Sequence, residues 1–282
     1  MFKRIYVEIT NVCNLHCRFC PGTRRPHRFM SVEEFSFLAR QLQGQAKYLY
    51  LHVLGEPLLH PALPEILAAA AQLGFRTCLT TNGTLLSQAL PDLLTAPGLH
   101  KISVSLHSFE GNDLPGSPEA YVTAAAQSCR TLADSGVICA LRLWNDGGRQ
   151  RQNREIEDHL SRTLGLDVTA IAPDVRGNRK LGQRLYLERE REFQWPHPQA
   201  PLCHTQFCLG LRQQAAVLCD GTVVPCCLDA EGHIPLGNLF HQTLPEILSS
   251  PRAQALREGF SRRRPTEELC RRCGYATRFN KD

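Results

Sequence analysis

From residue 4 to residue 172 the chain alternates short apolar runs with longer stretches whose apolar residues recur at helical spacing, one pair about every 25 to 35 residues. Six runs read as strands: Ile5–Ile9, Tyr48–Val53, Phe75–Thr80, Lys101–Leu106, Val137–Leu143 and Val168–Ile171. Most are nearly continuous in apolar residues, as strands covered on both faces require. Helices are predicted to start at Ser31, Ala62, Leu85, Pro118 and Arg151. Ser31-Val32-Glu33-Glu34 has the form of a capping box, and Gly74 and Gly136 stand where the second and fourth helices should stop. Repeated strand–helix units imply a parallel sheet, and six of them can curl into a partial (β/α)6 TIM-like barrel with its chemistry on the loops after the strands. The fold class expected is therefore α/β.

The pattern changes after residue 172. Residues 173–202 contain four prolines and read as a connector, partly ordered over Leu181–Phe193. Residues 203–282 hold a cluster of cysteines, a hairpin turn at Asp220-Gly221 and one amphipathic helix from Thr243 to about Phe260. This reads as a small Cys-rich domain following a barrel of residues 1–172.

Composition narrows the function. With 43% hydrophobic and 21% charged residues, the 282-residue chain can bury a large core and is not disordered. No window approaches 18 uncharged apolar residues, and the N-terminus lacks a signal-peptide core, so a cytoplasmic location without membrane contact is expected. The net charge of +5 is dispersed apart from Arg262-Arg263-Arg264, which reads as a solvated surface and gives little support to a nucleic-acid partner. Thirteen cysteines in a chain without a secretory signal should stay reduced, which brings metal or iron–sulfur ligation forward.

Cys13, Cys17 and Cys20 follow the first strand as C-x3-C-x2-C, close enough for one loop to wrap three sulfurs around one centre. Three ligands leave one coordination position open, whereas structural zinc takes four protein ligands. His16 or His27 could complete a zinc loop instead.

This arrangement, with an aromatic residue before the third cysteine, resembles the radical S-adenosylmethionine (SAM) superfamily. The resemblance implies that Cys13, Cys17 and Cys20 hold a [4Fe–4S] cluster whose open iron takes the amino and carboxylate groups of SAM. Phe19 would lie against the adenine. Gly55 and Glu56 match the motif that accepts hydrogen bonds from the methionine ammonium, and Thr81 and Asn82 match a Thr-Asn-Gly segment lining the cofactor cleft. Ser105 would serve the ribose or carboxylate, and His107 on the same strand face could meet substrate. Arg130 and Arg142 are candidates for the cofactor carboxylate, with Arg142 preferred near the end of its strand. Cys208, Cys226, Cys270 and Cys273, separated by 18, 44 and 3 positions, resemble the twitch form of the SPASM domain, which binds an auxiliary [4Fe–4S] cluster. Cys203 and Cys227 are alternatives to Cys208 and Cys226. Asp229 is a candidate base, although a turn carboxylate is the simpler reading. His52, His60, His100 and His233 lack ligand-like spacing.

The implied reaction is reductive cleavage of SAM to a 5′-deoxyadenosyl radical, hydrogen abstraction from substrate and net oxidation assisted by the auxiliary cluster. The expected partners are an external reductant such as flavodoxin or ferredoxin and either a small alcohol or sugar-like molecule or a peptide. A peptide-modifying maturase is the second enzymatic reading. A zinc ribbon or iron–sulfur scaffold without catalysis is the third.

Overall fold

A computed structural model describes residues 1–112, 114, 117–148, 151–203 and 207–279. Five strand–helix units open the chain: β1 (Phe2–Val7), α1 (Val32–Leu42), β2 (Ala46–Tyr50), α2 (Leu63–Gln72), β3 (Arg76–Thr81), α3 (Leu86–Thr95), β4 (Leu99–Ser105), a one-turn α4 (Ser108–Gly111), α5 (Glu119–Asp134), β5 (Ile138–Asp146) and α6 (Asn153–Leu164). The helix starts follow the expected signals. Ser31 and Glu34 form the capping box, and Ala62, Leu85 and Pro118 are the residues before α2, α3 and α5.

The sixth parallel strand lies further along than the apolar pattern suggests. Residues 168–171 form a turn in which Asp167 Oδ1 accepts from the backbone N–H groups of Thr169 and Ala170. An Asx turn of this kind competes directly with strand pairing. The strand is β7 (Leu185–Arg191), which runs parallel to β5 and carries a two-residue antiparallel partner, β6 (Arg179–Lys180). It lies within the stretch expected to be a connector. Its charged, alternating sequence concealed it: on the helix-facing side Leu185 and Leu187 are followed by Arg189, which pairs with Glu157 of α6 at 2.8 Å.

Strand order is β1-β2-β3-β4-β5-β7, and the sheet extends past β1 through β8 (Gln214–Val217), β9 (Thr222–Val224) and β10 (Gly237–Asn238). The expected hairpin forms at Gly221, whose φ of +82° suits glycine, but β8 also pairs in parallel with β1. The C-terminal segment is thus continuous with the barrel sheet. The single helix expected over 243–260 is two helices, α7 (Leu244–Ser249) and α8 (Pro251–Ser261). Pro251 has no N–H to donate and forces Ser250 into an extended conformation, with ψ of 147°, so Ser250 ends one helix and caps the next. A short α9 (Glu268–Arg271) closes the Cys-rich region.

The outer sheet face is apolar. Ile5, Val7, Leu49, Leu79, Ile102, Leu141 and Leu187 pack against Phe35, Leu38, Ile66, Leu67, Val122 and Leu160 from the helices in one core. Each such side chain contributes about 1.5–3 kcal/mol on burial. The inner face holds the alternate residues, including Arg4, Tyr6, Tyr50, Cys78, Lys101, Arg142 and Glu188. The strands therefore alternate apolar and polar where a continuous apolar run was expected. No helix among the described residues is long and apolar enough to cross a membrane.

Candidate active site and metal centres

The loop after β1 carries Cys13, Cys17 and Cys20 across the mouth of the barrel. Two backbone bonds pin it, from Arg18 N–H to the Gly111 carbonyl (2.9 Å) and from Cys20 N–H to the Cys17 carbonyl (2.9 Å). Donors surround the sulfurs: Asn112 Nδ2 donates to Cys17 Sγ at 3.0 Å, Leu15 N–H to Cys13 Sγ at 3.5 Å, and Asn82 Nδ2 approaches Cys13 Sγ at 3.9 Å. Burial pushes the Cys13 and Cys20 thiols up, and the neighbouring cysteine charges push further in the same direction. Bringing three thiolates so close requires a compensating positive centre. This donor set fits an iron–sulfur cluster held by three cysteines.

The neighbouring loops converge on this one. Gly55 has φ of +76°, and a Cβ there would lie 2.4 Å from the Thr10 carbonyl oxygen, so only glycine allows the loop after β2 to cross so near the cysteine loop. Glu56 N–H donates to the Val12 carbonyl at 2.8 Å. The Glu56 side chain is 1% exposed and accepts from Leu58 N–H (3.1 Å) and Asn82 N–H (2.7 Å), tying together the loops after β2 and β3. Burial outweighs those bonds and raises its pKa to about 7. The buried Thr81 hydroxyl accepts from Gly83 N–H at 3.0 Å. Glu56 and Thr81 are thus held inside the loop framework that surrounds the cysteine loop. Asn82 reaches the cysteine loop itself, donating to Asn14 Oδ1 at 2.9 Å.

Phe19 lies against the end of α4, where a Cβ on Gly111 would stand 2.6 Å from its ring. Its ring centroid is 4.6 Å from that of His107. His107 Nδ1 lies 3.0 Å from the Arg142 carbonyl, and burial lowers the imidazole pKa to about 4, so the ring is neutral near pH 7. A neutral, weakly basic ring packed on Phe19 is poorly suited to general acid or base work. Ser105 stands beside Arg142 in the β4–β5 register, and Arg142 Nε pairs with Glu188 Oε2 at 2.9 Å while its guanidinium lies 4.4 Å from the Trp144 ring centroid. Arg130 is not brought here: it donates to the Thr163 carbonyl between α5 and α6 on the outside.

The second cysteine group lines a separate pocket of about 420 Å³, counted to its open mouth. Cys208, Cys226, Cys270 and Cys273 all border it, with Pro196, Pro225, Ile234, Phe260 and Leu269 forming apolar walls. Burial drives the Cys226 and Cys270 thiols far up, and the other thiols of the group raise them further. Gly210 N–H donates to Cys208 Sγ at 3.3 Å. Four mutually destabilising thiolates in an apolar pocket fit a fully cysteine-ligated cluster. Cys227 is turned elsewhere, toward Tyr6 and Arg4 on the inner barrel face, and Cys203 does not line the pocket. Asp229 does border it, and its oxygens accept from His233 N–H and Ile234 N–H at 2.8 Å each, so it staples its own loop. Among the described residues, no three His, Cys, Asp or Glu side chains gather as a single metal ion requires.

Several residues escaped the sequence reading. Glu8, 0% exposed, pairs with Arg25 Nη2 at 2.7 Å and accepts from Leu54 N–H and Cys219 N–H, while Arg25 Nε donates to the Ala230 carbonyl. This one carboxylate joins β1, the cysteine loop and the C-terminal domain. An acid in the apolar run Tyr6-Val7-Glu8-Ile9 was the available signal. Tyr121 donates to the Asn82 carbonyl at 2.6 Å, and Asn112 reaches Cys17 across 95 positions; neither has a local signature.

Comparison with known proteins agrees with this division. A family model described as the radical SAM superfamily matches residues 7–155, and one described as an iron–sulfur cluster-binding domain, SPASM, matches residues 208–274. The chain is 36% identical over 110 residues to a GTP 3′,8-cyclase of Chlorobaculum tepidum, covering 38% of this chain and 33% of that protein. It is 30% identical to the Fe-coproporphyrin III synthase of Methanosarcina barkeri, over 66% of this chain and 48% of the relative. The AdoMet-dependent heme synthase of the same organism is 25% identical, with 95% and 86% covered. The match thus spans about a third to a half of the first two relatives. In fold, the chain is similar to BtrN in complex with AdoMet and 2-DOIA (TM-score 0.59, 17% identity, 97% of this chain and 93% of that one). It is also similar to Streptococcus suis SuiB bound to precursor peptide SuiA (TM-score 0.62, 16% identity, 97% and 70%).

Proposed function

Because the chain belongs to the radical S-adenosylmethionine superfamily and carries a C-terminal iron–sulfur cluster-binding domain, we propose that it oxidises a small alcohol or sugar-like substrate at the barrel mouth. Its cofactors are [4Fe–4S] clusters and S-adenosylmethionine. When bound, they supply one-electron hydrogen-atom abstraction and an acceptor for the electron a substrate must lose to be oxidised.

The observation that carries the reading is the pair of unlike thiol groups: three thiols with polar donors at the barrel mouth, and four in an apolar pocket. Cys13, Cys17 and Cys20 would hold the cluster that binds S-adenosylmethionine, with Asn112 and the Leu15 N–H orienting the sulfurs. Cys208, Cys226, Cys270 and Cys273 would hold the second. Phe19, the backbone of Gly55 and Glu56, Asn82, Ser105 and Arg142 border the space the cofactor would occupy. Glu56 and Thr81 keep those loops in place, and the helices exclude water from the outer sheet face. A small substrate is supported by the likeness in fold to BtrN, whose structure holds 2-DOIA. A peptide substrate is supported by the likeness to SuiB, bound to its precursor peptide.

Anaerobic reconstitution, followed by dithionite reduction with S-adenosylmethionine, tests the reading. About eight irons per chain and formation of 5′-deoxyadenosine are expected. Stoichiometric zinc with no iron would overturn it. Substrate class is then decided by incubating deuterated aminocyclitols and acidic peptides separately and following deuterium into 5′-deoxyadenosine.

A further inference from the structure

The inner face of the barrel carries charge beyond the residues assigned to the cofactor. Arg142 and Lys101 share one carboxylate, Glu188, at 2.9 and 2.7 Å. Burial alone would raise the Glu188 pKa, but the two cations outweigh it and hold the carboxyl below its ordinary range. Arg4 has no such partner. Its guanidinium lies 5.6 Å from the Tyr50 ring centroid and 6.0 Å from that of Tyr6, and its Nε is buried without an acceptor. His52 stands in the same cluster, 5.5 Å from Tyr6 and 5.9 Å from Tyr50 between ring centroids, and its Nδ1 is likewise buried without a partner.

Two orphaned nitrogens in one cluster are costly, since each forgoes a hydrogen bond it would make in water. Their cost is recovered when a ligand supplies an acceptor for Arg4 Nε and a hydrogen-bond partner for His52 Nδ1, an acceptor in the tautomer that carries the proton there. Arg4, Lys101 and Arg142 also all lie near enough to Cys78 to act on its thiol. Arg4 therefore adds a further cation beside the Lys101 and Arg142 pair that shares Glu188, with the Tyr6 and Tyr50 rings as walls. The other carboxylates nearby are engaged elsewhere, Glu8 with Arg25 and Glu56 with backbone N–H groups.

We propose that the inner barrel face recognises its substrate through an anionic oxygen group, a carboxylate or a phosphate, that pairs with Arg4 and fills the unmet hydrogen bond of His52. The inference rests on the barrel as the reaction chamber and adds the substrate's charge. Arg4 is the specificity residue, and Glu188 moderates the other two cations. A neutral sugar could bond these nitrogens through its hydroxyls but would leave the Arg4 charge without a counter-ion.

The test uses the reconstituted holoenzyme saturated with S-adenosylmethionine and three probes: 3-phenylpropionate, phenyl phosphate and 3-phenylpropionamide. Isothermal titration is expected to detect at least one anion binding at least tenfold more tightly than the amide, and the preferred anion identifies the source of the charge. Arg4→Gln should weaken that anion at least tenfold while leaving S-adenosylmethionine affinity and iron content unchanged. Arg4→Lys should retain binding within about fivefold, because the charge remains. Glu188→Gln should tighten anion binding severalfold. Equal binding of the amide, no anion binding, an unaffected Arg4→Gln protein, or displacement of S-adenosylmethionine by the anion would each overturn the proposal. Failure of the oxidation reading would be distinct: 5′-deoxyadenosine would not form, while anion binding and its dependence on Arg4 persisted.

Discussion

Cys17 accepts a hydrogen bond from Asn112 on a loop at the barrel mouth, whereas Cys226 faces a pocket walled by Pro225, Ile234, Phe260 and Leu269. The chemical element is the same and the surroundings are opposite. At the mouth, polar groups from two other loops, Asn82 and Asn112, come within reach of the sulfurs, so a ligand could be exchanged there. In the C-terminal pocket, four thiols and an apolar lining leave little for a polar ligand to bind. Ligand count and wall polarity are the grounds for the proposal that the first group binds S-adenosylmethionine and the second serves electron transfer.

The strongest challenge to that contrast is to delete one group at a time. Replacing Cys13, Cys17 and Cys20 by Ala should abolish 5′-deoxyadenosine formation and lower iron from about eight to about four per chain. Cofactor cleavage at the wild-type rate would mean that the two groups have been assigned the wrong roles. Changing Cys270 and Cys273 to Ala should also remove about four irons, yet leave cofactor cleavage within about threefold of wild type. Deuterium should still move from substrate to 5′-deoxyadenosine while oxidised product is lost. Absence of that transfer would indicate that the small domain shapes the substrate site as well.

Glu8 couples the two regions, and its removal measures how far each depends on the other. Glu8→Ala leaves Arg25 without its partner and two backbone N–H groups without an acceptor, at a cost of about 3 kcal/mol. Thermal denaturation should show a lower midpoint, with both clusters released together. Independent release would mean that the domains do not share this staple.

A smaller effect concerns His107, beside Phe19. Its folded pKa of about 4 lies below the ordinary value of 6.5, so the unfolded chain binds more protons between those values and stability falls as pH drops through that window. From pH 7 to pH 5 the loss from this residue is about 2 kcal/mol. His107→Gln should flatten the pH dependence of the denaturation midpoint over that range; an unchanged slope would show that the ring is not held neutral. The smallest change expected is in Asn112→Ala. Losing one donor to Cys17 disfavours the reduced cluster by about 1 kcal/mol, so the potential of the mouth cluster should fall by about 40 mV in a redox titration while that of the other stays constant.

Local chemistry was enough to read much of this molecule from its residues. Capping at Ser31, helix starts after Ala62, Leu85 and Pro118, the turn at Gly221 and the three-cysteine loop all depend on neighbours within a few positions, where backbone sterics and ligand spacing act directly. What required the folded chain was everything set by distant partners. The sixth strand stayed hidden in Leu185–Arg191, because Glu188 is balanced by Lys101 and Arg142 across the sheet and Arg189 by Asp146 and Glu157, while the apolar run at 168–171 lost to an Asx turn. The choice of Cys226 over Cys227 for the apolar pocket was likewise made by packing, since adjacent side chains point apart and only the tertiary structure decides which meets Cys208, Cys270 and Cys273. Glu56 followed the same rule. Its motif was legible, while the donors that hold its buried carboxyl, the N–H groups of Asn82 and Leu58, are brought to it only by the fold.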